Sequence, residues 1–417
     1  MTGKWRASGD DRGAVLIHVA FGVLALTAFT TFVADYGLLW VSRRQAQNSA
    51  DAGAIAGATA LGYDNASDFS DTGPAKTNAL LATQMNVVWG LSPDVNVTTD
   101  ITFPLIPAAT CDPDGDGNSS CIRVDVYRNQ ARGNALPMLF GQVVGLTAQG
   151  IRATATALVM AANSSECTKP WAVADKWAEL DGSWDPTDTF DPATGDDYRR
   201  QGDPTPEDPG TGFKAPPSTP NDYGLELTLK VGSPHDTINP GWFQALDLAG
   251  ASDSTCINQG ADCYRDAIRG CAGGTWKIGD VVPKENGNMT GPTAQGSVDL
   301  IALDFNADFY DPDGPLGPQP GSIINSCVGP PYTCSVPGFT VSPRVVAIPV
   351  FDLELYNATG GPGNGTVLIV NMLGFFVDRV VSGNVVGYLI NKKETFIAGA
   401  GGVAGGASFI KAVTLIR

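Results

Sequence analysis

Histidine is nearly missing from this sequence, with two residues, His18 and His235, in 417. No cysteine pair repeats the short spacing of a zinc ribbon, so a Cys/His metal site lacks its ligands. A serine hydrolase needs a nucleophile on a strained turn within reach of a histidine. No G-x-S-x-G occurs, and His235 stands beside Asp236 in a Gly-Ser-Pro stretch that reads as a loop. Basic charge is scarce as well: 26 Lys+Arg face 43 Asp+Glu, a net charge of −17. That balance lacks the cationic footprint a phosphate backbone requires, which argues against nucleic acid as a partner. No repeat of fixed period is present, and no spacing singles out a pair of carboxylates for glycoside hydrolysis. These absences point away from an enzyme, and no small-molecule substrate is expected.

Cysteine is absent before Cys111, and all eight residues lie between Cys111 and Cys334. An even count with close neighbours fits disulfides formed outside the cytoplasm. Cys111 with Cys121 and Cys327 with Cys334 are isolated local pairs, each expected to bond. Cys167, Cys256, Cys263 and Cys271 then share two more bonds, in a connectivity that spacing leaves open.

One long hydrophobic run is present. Gly13 to Ala34 carries no charged residue over 22 positions, which as a helix is ~33 Å long, enough to cross a bilayer core. Lys4, Arg6 and Arg12 precede it, while Arg43 and Arg44 follow, so the positive-inside bias is real but shallow. The later cysteines place the N-terminus in the cytoplasm and the body outside. A cleaved signal peptide is the rival reading. Its cut after Ala34 would put Phe32 where the peptidase wants a small residue, so a retained anchor is expected. His18, the one polar oddity of the span, is expected to reach toward the interface or a partner.

No proline interrupts the chain from the span to Leu61, which predicts one helix running through the membrane and several turns beyond. Its distal part is lined by Ala46, Ser49, Ala50, Gly53, Ala54, Gly57 and Ala58. Gly53 and Gly57, one turn apart, let another helix backbone approach closely. That helix is either a partner protein's or one of the chain's own, and both stay open.

Fifty glycines and 29 prolines favour short strands and turns in the remainder. The predicted order is a tail at 1–12, anchor and stalk at 13–62, an α+β module at 63–162, and a β-rich body at 163–417. The body carries an exposed Pro/Asp-rich loop at 185–222. The overall class is α+β with mainly antiparallel, disulfide-braced sheets. A helix is expected from Pro74 toward Gly90, with strands at Val95–Phe103, Ile122–Tyr127 and Thr147–Val159 in the first module. In the second they are expected at Leu225–Val231, Arg344–Leu355, Thr366–Val377, Val385–Ile390, Glu394–Ala398 and Ile410–Ile416. Leu136–Gly145 reads as a short apolar helix or loop plugging one sheet face. Gly287–Thr293 reads as a turn.

Two motifs invite chemistry. Between Cys111 and Cys121, Asp112, Asp114 and Asp116 alternate and Gly117 follows, the opening pattern of a calcium loop. Asn118 could add its carbonyl and Asp125 a carboxylate from the next strand, although Arg123 holds the place of the bidentate glutamate. Calcium is therefore a candidate cofactor that would stiffen the loop, and Asp311–Asp313 is a shorter echo. Gly399, Gly401 and Ala404 imitate a dinucleotide loop, but no βαβ unit fits after them, so they are read as a turn.

The order of polar positions along the helix carries a family resemblance. Arg12-Gly13, Asp35, Gly37, Arg43-Arg44-Gln45, Gln47-Asn48, Ala50-Asp51-Ala52 and Gly53-Ala54 resemble the N-terminal module of Flp pilus-assembly TadG-like proteins. The resemblance implies a non-enzymatic pilus-assembly component anchored in a bacterial inner membrane, with a periplasmic or surface-exposed body, whose partners are other Tad assembly proteins or pilin helices. Looser likenesses extend to Cys121–Ala157, Cys167–Trp177, Gly287–Asp304 and Ser342–Asp352. The chain departs from the family in two ways. It has no Asp-x-Ser-x-Ser of a von Willebrand A metal site. Pilins and pseudopilins are cut after a glycine followed five residues on by glutamate, whereas His18 occupies that place after Gly13, which favours permanent anchoring. The alternatives are a tethered, calcium-stabilised adhesion module and a processed minor pilin at the tip.

Overall fold

The computed structural model describes residues 12–64, 68–112, 117–179, 184–191, 193–196, 212–216, 221–232, 237–256, 260–312, 321–329, 332–333, 341–361, 365–394 and 408–416. Arg12–Tyr63 forms a single helix of 52 residues, α1. Its two halves meet different surroundings. Large apolar side chains of the first half stand open, with Leu16 at 72% and Leu24 at 68% exposure. A core helix would hide them, so this half is built to meet an apolar solvent. The second half buries Ala46, Ala50, Ala54 and Ala58 completely, one residue per turn along a single stripe.

That stripe lies between α2 (Pro74–Met85) and a five-stranded sheet. Pro74 suits the first turn of α2, where its missing N–H costs nothing. The helix stops at Met85, short of the expected Gly90, because two β-branched residues follow and the chain reverses at Trp89 and Gly90, both at positive φ. Buried Val88 pairs with Leu91 across that turn.

The sheet runs in the order Ile101–Thr102, Cys121–Arg128, Ile151–Ala161, Ile410–Ile416, Lys392–Lys393. All neighbours are antiparallel except the last pair. The strand expected over Val95–Phe103 shrinks to two residues. Asn96 Oδ1 accepts from the amides of Thr98 and Thr99 and bends the chain into a turn instead. Ile122, Val124 and Val126 alternate on one strand and Ala153, Ala155 and Ala157 on its neighbour, all toward the helices.

Behind the sheet stands a closed barrel of six strands, in the order Val345–Phe351, Asn371–Val381, Asn384–Leu389, Glu226–Val231, Trp242–Ala245, Trp171–Ala174. Ser382 and Gly383, both at positive φ, make the tight hairpin that joins the second strand to the third. Two of the six pairings are parallel and four antiparallel. The expected strand Arg344–Leu355 ends at Phe351, since Asp352 accepts from the Leu355 amide and starts a short helix, Leu353–Ala358. Gly287–Thr293 is partly helical: Thr290–Ala302 forms a helix whose first turn accommodates Pro292. A further helix, Ala261–Arg269, lies beside it. The terminal strand links the two halves of the body. Ile410 and Ala412 pack into the same core as Trp242, Phe351 and Met372.

Candidate functional site: the stalk and its clamps

The polar positions along α1 tie it to the body at successive heights. Just past the uncharged run, Asp35 accepts from three consecutive backbone amides: Leu139 at 2.8 Å, Phe140 at 3.2 Å and Gly141 at 2.6 Å. The three amides give the carboxylate the hydrogen bonds that its burial would otherwise deny it. Those amides belong to a hairpin, Leu136–Pro137 paired with Ala148–Gln149, which stands against the helix rather than plugging the sheet. A Cβ at Gly141 would meet the Leu146 carbonyl at 2.9 Å and Asp35 Oδ2 at 3.2 Å, so the clamp needs glycine there.

Higher up, Gln45 Oε1 accepts from the Trp89 amide at 2.9 Å. Gln47 Nε2 donates to the Thr154 carbonyl at 3.0 Å and to Asp51 Oδ1 at 2.8 Å. Ser49 Oγ donates to the Thr83 carbonyl at 2.9 Å. Gly53 and Gly57 make their close helix approach to the chain's own α2. A Cβ on Gly53 would lie 2.0 Å from Thr83 Oγ1, and one on Gly57 2.5 Å from Ile122 Cδ1 and 3.0 Å from the Ala75 carbonyl. This small-residue face is therefore covered from within. Arg43, Arg44 and Asn48 point outward, and the Arg44 guanidinium lies 4.1 Å from the Trp40 ring centre.

The top of α1 is held by the end of the chain. Lys411 Nζ donates to the Gly62 carbonyl at 2.9 Å and to the Pro216 carbonyl at 3.1 Å, while Tyr63 Oη donates to the Lys411 carbonyl at 2.8 Å. Burial pushes the Lys411 pKa down to about 8. Sequence reading missed this clamp, because nothing local to Lys411 announces a helix end some 350 residues earlier.

Three disulfides brace the body, joining Cys111 to Cys121, Cys167 to Cys271 and Cys256 to Cys263. Cys327 is disulfide-bonded as well, and Cys334 lies outside the described residues. Lys169 sits beneath the Cys167–Cys271 link, donating to the Ala267 carbonyl at 3.0 Å and to that of Gly270. These carbonyls end the helix Ala261–Arg269, where a cation is favoured. Burial, with Lys392 nearby, lowers its pKa to about 7.

Of the calcium-loop residues, Asp112 and Asn118 are described and Asp114 and Asp116 are not. Asp112 Oδ1 accepts weakly from the Gly117 amide at 3.4 Å. Asp125 is already engaged. Arg152 and Arg123 pair with it, Thr154 donates to it, and despite burial these partners hold its pKa low. It is therefore not a spare ligand for the loop. Among the described residues no cluster of three His, Cys, Asp or Glu side chains could hold a metal. His18 is exposed on the first half of α1, whereas His235, Asp236, Asp313 and the loop with Gly399, Gly401 and Ala404 lie outside the described residues.

Among the described residues one helix is long and apolar enough to cross a bilayer, and it is welded along its distal half to a β-rich body, an arrangement that fits a membrane-anchored protein. Residues 13–60 match the family model described as putative Flp pilus-assembly TadE/G-like, the family the sequence resembles. No curated protein and no solved structure matches the chain.

Proposed function

We propose that the protein is a non-enzymatic component of Tad-type pilus assembly or a related secretion apparatus. It is held in the bacterial inner membrane by α1, with its N-terminus cytoplasmic and its body periplasmic. One observation carries this reading. The family-matched segment, residues 13–60, coincides with α1, and its polar residues Asp35, Gln45 and Gln47 bond to the body, with Asp51 holding the Gln47 amide from within the helix. A rigid joint transmits position from the membrane to an assembly partner, which a loosely tethered catalytic domain does not need. Because the Gly53/Gly57 face is filled by α2, contact with pilin or other assembly helices falls to the membrane half of α1 and to the body surface.

Removing the gene should abolish or alter pilus number and length, and re-expression of the full chain should restore them; unchanged pili would refute the role. The mass of the N-terminal peptide, taken from membrane and sheared-filament fractions, separates a permanent anchor from a processed minor pilin. An intact N-terminus confined to membranes fits the anchor. A peptide starting at Ala14 in filaments would make it a pilin. Calcium on the Asp112–Asn118 loop belongs to the same reading as a stiffener. A higher melting temperature in calcium than in chelator is expected, and equal values would remove the ion.

A further inference from the structure

The hairpin clamped by Asp35 has a composition its position in the sheet module does not call for. From Gly133 to Ile151 it contains no charged residue. Its tip leaves Leu139, Phe140 and Leu146 exposed at 56%, 43% and 57%. Yet the backbone there is closed off from water's usual role. The amides of Leu139, Phe140 and Gly141 go to Asp35, that of Met138 to the Thr147 carbonyl, that of Gly145 to Gln142 and that of Leu146 to Gly141. A segment with satisfied amides and bare apolar side chains can enter a low-dielectric phase at little cost.

Its height along α1 identifies that phase. Asp35 directly follows the uncharged span, so the hairpin tip lies level with the end of the hydrocarbon core. Met138 and Leu146 line one apolar groove of about 890 Å3 together with Leu24, Ala28 and Phe32 of the span itself. The hairpin surface is thus continuous with the surface the membrane must cover. Trp40 is 52% exposed and stands one and a half turns above Asp35, ~8 Å further along the axis. That is the headgroup zone, which occupies roughly 5–8 Å beyond the core on each side. Tryptophan is enriched at this level, and Arg44 over its ring points a cation at the phosphates.

We propose that the hairpin Leu136–Gln149 is a second membrane contact, its tip seated in the leaflet on the body's side of the same phospholipid bilayer that α1 crosses. The occupant is lipid, because exposed Leu146 lines the same apolar groove as Leu24, Ala28 and Phe32 of the span, and Leu139 and Phe140 stand exposed on the same hairpin. The body is then fixed in tilt as well as in height, standing on two feet instead of one. This inference rests on α1 being a span.

The test uses the full chain in phosphatidylcholine/phosphatidylglycerol vesicles with single nitroxide labels at Leu139→Cys, at Leu24→Cys in the span, and at Val381→Cys on the barrel hairpin. Accessibility to oxygen relative to a water-soluble nickel complex should be several-fold higher at Leu139 than at Val381, approaching the value at Leu24. A water-like ratio at Leu139 with a lipid-like one at Leu24 would overturn the hairpin contact and leave the anchor standing. Water-like ratios at both would overturn the span as well. Shielding of Leu139 from both reagents would mean a protein covers the tip, and the lipid assignment would fall. Leu146→Cys reads the same hairpin if the Leu139 variant does not fold.

Discussion

Where α1 crosses its sheet, the facing side chains are Ala46, Ala50, Ala54 and Ala58 on one side and Ala153, Ala155 and Ala157 on the other. Inside the barrel they are Trp171, Phe243, Leu373, Phe375, Val377 and Leu389. The first region brings α1 close to its neighbouring strand by way of small side chains, with Ile122, Val124 and Val126 of the adjoining strand filling the space beside it. The second spaces its strands around large rings and branched residues. Both exclude water, but by opposite means, and they should fail in opposite ways. Alanine-lined contacts have no slack for added atoms, whereas a ring-filled barrel cannot collapse to fill a removed one.

The largest expected effect tests the barrel. Phe375→Ala removes a fully buried ring and should cost about 3–5 kcal/mol, measured by denaturant unfolding of the body in detergent. A loss below about 1 kcal/mol would mean the barrel closes over the gap, and the comparison would lose one side. The reverse substitution tests the stalk. Gly57→Leu drives a side chain into Ile122, Ala79 and the Ala75 carbonyl and should cost about 1–3 kcal/mol. The same exchange at Gly291, where nothing lies within 4 Å of an added Cβ, should be mild by comparison. Because Ile410 and Ala412 pack with Trp242, Phe351 and Met372 of the barrel strands while their own strand completes the stalk's sheet, the Gly57 variant should still unfold in one transition. Two separated transitions would show that the regions are independent.

A smaller effect comes from pH. Lys169, at about 7, and Lys411, at about 8, titrate in the folded state below the ordinary lysine value of 10.5. Between about pH 7 and 10.5 the unfolded chain holds more protons, so these two residues make stability rise with pH. Tyr223 and Tyr356, raised by burial to about 12 from 10.0, act the other way. Their contribution is complete below pH 10 and is lost as pH climbs through their folded values. Melting temperature should therefore peak at about pH 9–10. Lys411→Met should flatten the rising limb, and a profile unchanged by that substitution would remove the upper clamp from the account. The smallest effect is local: Asp35→Ala should speed hydrogen exchange at Leu139, Phe140 and Gly141 with little change in global melting. Unchanged exchange there would separate the hairpin from the helix.

The helix α1 was legible throughout because its evidence is local: an uncharged run, no proline, and small residues repeating every turn. The strand Cys121–Arg128 follows from its branched and aromatic residues, whereas the single strand expected at Thr366–Val377 is two, Thr366–Leu368 and Asn371–Val381, in different sheets. Val95–Phe103 misled because Asn96 outcompetes the ladder with its own side chain. The helix at Thr290 was hidden by Gly291 and Pro292, which read as turn residues, although a proline is tolerated in a first turn. The role of Asp35 was visible as a motif position and not as a clamp, since its three donors lie a hundred residues away.

The sequence by itself determined what depends on neighbours along the chain: an uncharged run long enough to span a bilayer, a stiff stalk, short strands, and an even set of cysteines able to pair. Only the tertiary structure decided which surfaces meet. It placed α2 against Gly53 and Gly57, closed six strands into a barrel, joined Cys167 to Cys271, and laid the last strand beside Ile151–Ala161 to cap the stalk. The physical reason is that many small or apolar faces are interchangeable to their own local sequence. Which pair is buried is set by the summed fit of the whole fold, because no single contact is strong enough to choose.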